Sequence, residues 1–237
     1  LEALIEEARD GAAIRTGVVH PVNDITLEGV NGAMEKNLIE PVLIGPMNKI
    51  EAAAEDAGFD LSRAKCIDAP HSHAAAAKAV ELARNGALDA LMKGALHTDE
   101  IMSEVVSGTR GIRTERRISH VYVMDTPAYE KLILITDAAI NIAPDLEDKR
   151  DIVQNAIDLA MSLGVETPKV AVLSAVETVY PKLHSTLDAA ALCKMADRGQ
   201  IRGGIVDGPL AFDNAISKAA AEAKGLASSV AGDADIL

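Results

Sequence analysis

Short apolar runs alternate with stretches of helical periodicity along all 237 residues, and no other feature restricts the fold as much. A parallel pair of strands cannot be closed by a tight turn, because it needs a crossover of a dozen or more residues, usually a helix. Apolar runs at that spacing predict an α/β protein built on parallel sheet. In the first half we read strands over 14–19, 41–44, 65–67 and 90–93. Helices are expected over 27–37, 47–57 and 72–84, with Ser72 as an N-cap, and residues 1–10 read as an amphipathic helix.

The rhythm breaks at 109–119, a polar segment rich in arginine and containing Gly111, where a chain can change direction or domain. We therefore expect a first α/β domain over 1–118 and a second over 119–237. The second opens with strands over 120–124 and 132–136 about a turn containing Pro127, a spacing that suits a hairpin. Asp145 is expected to cap a long helix with Ile152, Ala156, Leu159, Ala160 and Leu163 on one face, ended by Gly164. A strand over 169–173, a helix over 187–198, a strand over 204–207 and a short helix after Ser217 continue the alternation. Residues 234–237 read as the opening of an apolar strand, and the first residue is not methionine, so the natural chain is expected to extend beyond both ends.

Composition narrows the function. Hydrophobic residues make up 49% of the chain, but only two Phe and three Tyr are aromatic and there is no Trp, so the core is aliphatic and no stacking platform for single-stranded nucleic acid is present. A formal charge of −13 repels a phosphate backbone, and no nucleic-acid partner is expected. No apolar run approaches the roughly 20 residues that span a bilayer. Cys66 and Cys193 stand far apart and outside any C-x-x-C pair, which suggests no disulfide framework and fits a reducing cytoplasm.

Three places can carry chemistry. Arg110, Arg113, Arg116 and Arg117 form a basic run in an acidic chain, and guanidinium forks bind phosphate oxygens in pairs; a solvated loop is the plainer reading. The segment from Lys93 through Gly94 to His97 and Thr98 reads as a strand end turning into a helix whose first amides attract anions, although it lacks the spacing of a Walker loop. The turns at 174–185 and 207–214 follow the carboxyl ends of expected strands, the edge where α/β sheets place ligands. Their alternative is a simple turn at Gly208 and Pro209 with Asp213 or Asn214 capping a helix.

Other candidates carry less. His71 and His73 lack a carboxylate or cysteine at ligand spacing, so no metal site is expected. Asp137 and Asn141 are read as holding a turn, Cys193 as core, and Glu147, Asp148 and Asp151 as the acidic first turn of a helix.

From Leu91 onward the chain resembles the phosphate acetyltransferase and phosphate butyryltransferase family, particularly its butyryl-type branch. The segments that carry the likeness are 111–121 (GIRTERRISHV), 135–144 (ITDAAINIAP), 188–195 (DAAALCKM), 206–217 (VDGPLAFDNAIS) and 230–237 (VAGDADIL). The likeness extends over essentially the whole chain, with the first sixty residues contributing least. It implies two α/β domains with the active site in a cleft between them, as in isocitrate and isopropylmalate dehydrogenases, and a homodimer formed largely through the second domain. The implied reaction is acyl-CoA plus phosphate to acyl phosphate plus coenzyme A, reversible and with no tightly bound cofactor.

Carried onto this chain, the family's needs place His97, Thr98, Arg113, Arg116 and Arg117 at phosphate, Ser174 and Asp207 in catalytic positions, and Asp213 and Asn214 among the substrate-binding residues. The chain departs from the family at Ser103 and Glu104, where the acetyl branch carries an arginine, and at Tyr180, Leu183 and His184, where asparagine and proline are common. A later segment that supplies catalytic side chains and completes the first domain is not in this sequence. Two other readings stay open: a dehydrogenase of similar architecture, for which no G-x-G-x-x-G is present, and a ligand-binding or regulatory remnant of the same fold.

Overall fold

The structure, a computed structural model, describes residues 1–237 and divides into two compact units, Glu2–Thr114 and Glu115–Leu237, the latter joined by Leu1. Both are mixed α/β.

In the first unit, α1 (Glu2–Arg9) precedes β1 (Ile14–Val19), α2 (Asp24–Glu35), β2 (Ile39–Gly45), α3 (Met47–Ala57), β3 (Lys65–Asp68), α4 (Ser72–Arg84), β4 (Ala90–Lys93) and α5 (Thr98–Val105). The strands form one parallel sheet in the order β3-β2-β1-β4. Alternation along a strand sends successive side chains to opposite faces. Val18 and Leu43 accordingly join Leu27, Val30 and Ile50 of α2 and α3 on one face, while Val19 and Ile44 pack with Ala75, Ala76 and Ala79 of α4 on the other. These three alanines are fully buried, and with no larger side chain in the way α4 can lie close against the sheet. Sequence reading named Ser72 as the cap of α4; His71 takes that position, its Nδ1 accepting from the Ala74 amide at 3.2 Å, and Ser72 is the first helical residue. A histidine ring nitrogen can do what a serine hydroxyl does there, a substitution that cap statistics underrate.

The second unit begins with the antiparallel pair β5 (Tyr122–Met124) and β6 (Ile133–Ile135), the expected hairpin. It continues with α6 (Leu146–Ser162), β7 (Lys169–Leu173), α7 (His184–Asp197), β8 (Ile205–Leu210), α8 (Phe212–Ile216) and α9 (Lys218–Ala223). Asp145 caps α6 in a capping box with Asp148, and Gly164 follows the helix with φ +88°. The strand expected to stop at Asp207 runs on to Leu210, and a register irregularity between Ala171 and Leu173 lets it continue through Gly208 and Pro209. Helix α7 starts at His184 rather than Leu187.

Residues 235–237 lie between β6 and β7, bridging to both. Ile236 pairs in parallel with Leu134 and with Val170, and it is fully buried with Val153, Ile157, Leu192 and Ile201. No helix is long and apolar enough to cross a membrane.

Candidate functional site

The turn after β4 is set by close approach. A Cβ on Gly94 would stand 2.6 Å from the Val19 carbonyl oxygen and 2.8 Å from that of His20, so only glycine lets β4 leave the sheet against β1. His97 then precedes α5, and its amide donates to Glu100 Oε2 at 3.0 Å. Glu100 also accepts from the Ser72 hydroxyl at 2.9 Å and faces His73 Nδ1 at 3.2 Å. Burial pushes this carboxyl up, but the His97 amide, Ser72 and His73 together hold it below the usual range. With Asp99 beside it, the helix start expected to attract anions already meets carboxylate of its own, and the segment offers an external phosphate less than its sequence suggests.

The arginine run is shared by the two units. Arg110 pairs with Glu104 at 3.3 Å and Arg113 is exposed, both in the first. In the second, Arg116 Nη1 reaches Asp158 at 2.5 Å and Asn155 at 3.2 Å, both on α6. Arg117 is held differently. Its backbone amide donates to Asp151 at 2.8 Å and its Nε donates to Asn141 Oδ1 at 2.7 Å, with Asp148 at 3.7 Å. Asn141 is in turn fixed through its Nδ2, which donates to the Ile118 carbonyl at 3.0 Å and to Asp137. Asp137 also accepts the amides of His120, Ala139, Ile140 and Asn141. Burial raises the Asp137 carboxyl, yet the Asn141 side chain and these amides leave it below the usual range. Asp137 does hold a turn, as its sequence position suggested. The missed consequence is that the same turn fixes Asn141 against Arg117, leaving both terminal nitrogens of that guanidinium unbonded. The spacing of Asp137 and Asn141, four residues apart after a strand, was the available signal.

The third region lies at the carboxyl ends of β7 and β8. Ser174 donates its amide to the Leu210 carbonyl at 2.8 Å, and its hydroxyl lies 2.8 Å from that of Ser185. No base adjoins it, so the hydroxyl is suited to donating a hydrogen bond rather than to attacking as a nucleophile. Asp207, opposite Ala171 in register, accepts the Gly208 amide at 2.8 Å. The two are not hydrogen-bonded to each other. Asp213 is exposed on α8, while Asn214 is buried and donates to Glu177, which also binds Lys224. The Asn214 Oδ1 has no partner. Glu177 was missed, since nothing in its sequence surroundings marks it. Cys193 donates to the Gly208 carbonyl at 3.5 Å, and burial, with Asp207 and Asp197 nearby, pushes its thiol up to about 11, consistent with an unreactive core thiol. Of the histidines considered for metal, His71 caps α4 and His73 faces Glu100.

Comparison with known proteins bears on what these residues serve. Residues 72–237 match the family model described as "Phosphate acetyl/butaryl transferase". The chain is 57% identical over 236 residues to a phosphate acetyltransferase of Rhizobium meliloti, covering all of this chain and 75% of that protein. It is 60% identical over 225 residues to a phosphate acetyltransferase of Rickettsia typhi, covering 94% of this chain and 64% of that protein's length. Among solved structures, a branched-chain phosphotransacylase from Enterococcus faecalis V583 superposes with a TM-score of 0.80 at 28% identity, over 94% of this chain and 78% of that one. The family match runs from the first turn of α4 to residue 237 and includes the arginine run, the Asp137–Asn141 turn and the ends of β7 and β8. On these grounds the chain belongs to the phosphate acetyl/butyryl transferase family.

Proposed function

We propose that the protein transfers a short acyl group reversibly between coenzyme A and inorganic phosphate, and that Arg117 is its leading phosphate ligand. The observation that carries this is the hydrogen-bonded chain from Asp137 through Asn141 to Arg117 Nε, which fixes a guanidinium and leaves its terminal fork open. A fork presented in that way matches two phosphate oxygens. Arg113 and Arg116 add positive charge, with Arg116 spending Nη1 on Asp158, and His97 and Thr98 take a lesser phosphate-side part, because Glu100 already occupies the His97 amide. Ser174 and Asp207 serve the reacting thioester, Ser174 as a hydrogen-bond donor to the developing oxyanion. Asp213 and Asn214 complete the substrate-binding set.

The same reading includes two α/β domains, over 1–118 and 119–237, lining one cleft as in isocitrate and isopropylmalate dehydrogenases. It also includes a homodimer formed through the second domain, a cytoplasmic location and no tightly bound cofactor. The relatives named above support the acyl-transfer reading, and they do not favour a non-catalytic remnant. Both sequence relatives carry the acetyl name, so acetyl-CoA is the first donor to test beside butyryl-CoA.

The test is acyl-CoA phosphorolysis by the protein and by Arg117→Ala and Arg116→Ala. A charge-assisted hydrogen bond contributes about 1.5–3 kcal/mol, so Arg117→Ala should raise the KM for phosphate by about tenfold or more, and Arg116→Ala by less. Normal phosphate dependence in Arg117→Ala would remove the proposed role.

A further inference from the structure

Helix α8 is little more than one turn, and a helix so short holds its place only through tertiary contacts, because helix formation has a costly nucleus. Its backbone is tied to the segment after α9. The Gly232 amide donates to the Asn214 carbonyl at 2.7 Å, and the Ala234 amide donates to that of Ala215 at 3.2 Å. The approach is close, since a Cβ on Gly232 would stand 2.5 Å from Lys218 Cα. A second tie runs through a side chain. Asn214 is fully buried, and its Nδ2 donates to Glu177 in the stretch that leaves β7.

The Glu177 carboxylate joins three segments, because its Oε1 accepts both from Asn214 and from the Lys224 ammonium at the end of α9. The hydrogen bond from Lys224 holds the Glu177 carboxyl below its usual range. The lysine is raised in turn, chiefly by Glu177 and also by the charge of Asp213, so it stands in the field of both carboxylates. An ionised carboxylate can only accept, and the amide nitrogen of Asn214 must therefore face Glu177. The Asn214 Oδ1 is thereby left buried with no partner. An orphaned buried oxygen destabilises a fold, and an apolar side chain would avoid it; a position that keeps the cost is one where a particular arrangement matters. What the arrangement presents is Asp213. Successive helical side chains stand about 100° apart, so with Asn214 held inward its neighbour Asp213 is turned out to solvent. It lies just beyond the carboxyl end of β8, the edge where α/β sheets bind ligands.

We infer that Glu177 is a positioning residue: through Asn214 and Lys224 it fixes α8 so that the Asp213 carboxylate accepts hydrogen bonds from the amide and hydroxyl groups of the coenzyme A arm. The inference rests on the acyl-transfer reading above and names the substrate that Asp213 serves. Charge decides between the two substrates. A carboxylate repels a phosphate dianion and accepts from neutral N–H and O–H donors, which the coenzyme arm carries and inorganic phosphate offers poorly. Asn214, being enclosed, serves the site by holding the helix and not by touching substrate. Glu177, Asn214, Lys224 and Asp213 all belong to the second unit, as do Ser174 and Asp207.

The test has a kinetic arm and a spectroscopic arm. In acyl-CoA phosphorolysis, Glu177→Ala should raise the KM for acyl-CoA by about fivefold or more, with kcat and the KM for phosphate little changed. Asp213→Ala should do the same. Because Glu177 acts through that carboxylate, the double variant should be no worse than Asp213→Ala alone, whereas independent structural damage would add. Glu177→Gln, which keeps an oxygen for Asn214 and loses the charge facing Lys224, should fall between parent and Glu177→Ala. If Glu177→Ala folds poorly, Lys224→Met opens the same link from its half-exposed end and takes its place in the cycle with Asp213→Ala. In nitrogen-15-labelled protein the Asn214 side-chain amide should exchange slowly with solvent and lose that protection in Glu177→Ala. An unchanged KM for acyl-CoA, an equal rise in both KM values, additive effects in the double variant, or an unprotected Asn214 amide in the parent would each overturn the proposal. The two readings fail separately. Additive variants in a protein that transfers acyl groups would sink the role of Glu177 alone, whereas a parent with no acyl transfer would sink the coenzyme role together with the reading it rests on.

Discussion

Asp137 accepts five hydrogen bonds, four from backbone amides and one from the Asn141 side chain, and a carboxylate so enclosed has one orientation. Removing its charge should therefore act on phosphate through Asn141 and Arg117. Asp137→Asn places an amide N–H where only acceptors fit, and we expect a KM for phosphate raised several-fold with kcat less affected, measured in the phosphorolysis assay. An unchanged KM would show that Arg117 keeps its place without this support. A second residue-scale prediction concerns Asp233. Its carboxylate meets Lys169 at 2.5 Å and Lys131 at 2.9 Å, and those lysines hold it down to about 2 from an ordinary 3.8. A folded-state pKa below the unfolded one gives stability that is present above the unfolded value and lost as pH falls through the folded one. Stability should thus decline between about pH 4 and pH 2, and urea titrations of Asp233→Asn should show a shallower decline over that window. The effect is modest, because about a third of the side chain is exposed and solvent screens the pair.

Among elements, the short stretch 235–237 is the one whose burial exceeds what its length suggests. Ile236 is fully buried between β6 and β7, and Ile236→Ala should cost about 2–5 kcal/mol in unfolding free energy, read by denaturant titration; a cost below about 1 kcal/mol would mean the bridges matter more than the side chain. The elements that sequence made legible are those whose apolar period is clean. Strands 14–19 and 90–93 and helices 47–57 and 72–84 coincide with β1, β4, α3 and α4 to the residue, because strand alternation and helix periodicity are local properties. The extension of β8 through Gly208 and Pro209 was not legible, since a proline in that position reads as a turn and only the irregular pairing with β7 shows otherwise. The same limit applies to the site. Arg117 was visible as a charge, but its partner Asn141 depends on a contact 24 residues apart, which no spacing rule reaches.

At the scale of the whole molecule, 36 acidic residues against 23 basic ones set a field that opposes both proposed substrates, each of them an anion. Salt shortens the reach of such a field to about 8 Å at 0.15 M, so the repulsion fades with ionic strength while short-range contacts at Arg117 persist. We expect kcat/KM for coenzyme A, measured in the acyl-phosphate direction, to rise as ionic strength increases from about 0.01 to 0.15 M. A steady fall over that range would mean that a local basic field, rather than the overall charge, governs encounter. The placement of 235–237 has a further consequence, for synthesis on the ribosome. The first unit's sheet joins strands that mostly follow one another in the chain, so it can assemble while translation continues. In the second, Lys131 waits for Asp233 across 102 residues and Lys169 for Asp235 across 66, and contacts of such separation form slowly. The gap between β6 and β7 stays unfilled until Ile236 clears the exit tunnel, leaving a nascent intermediate with apolar strand edges exposed, the kind of species a chaperone binds.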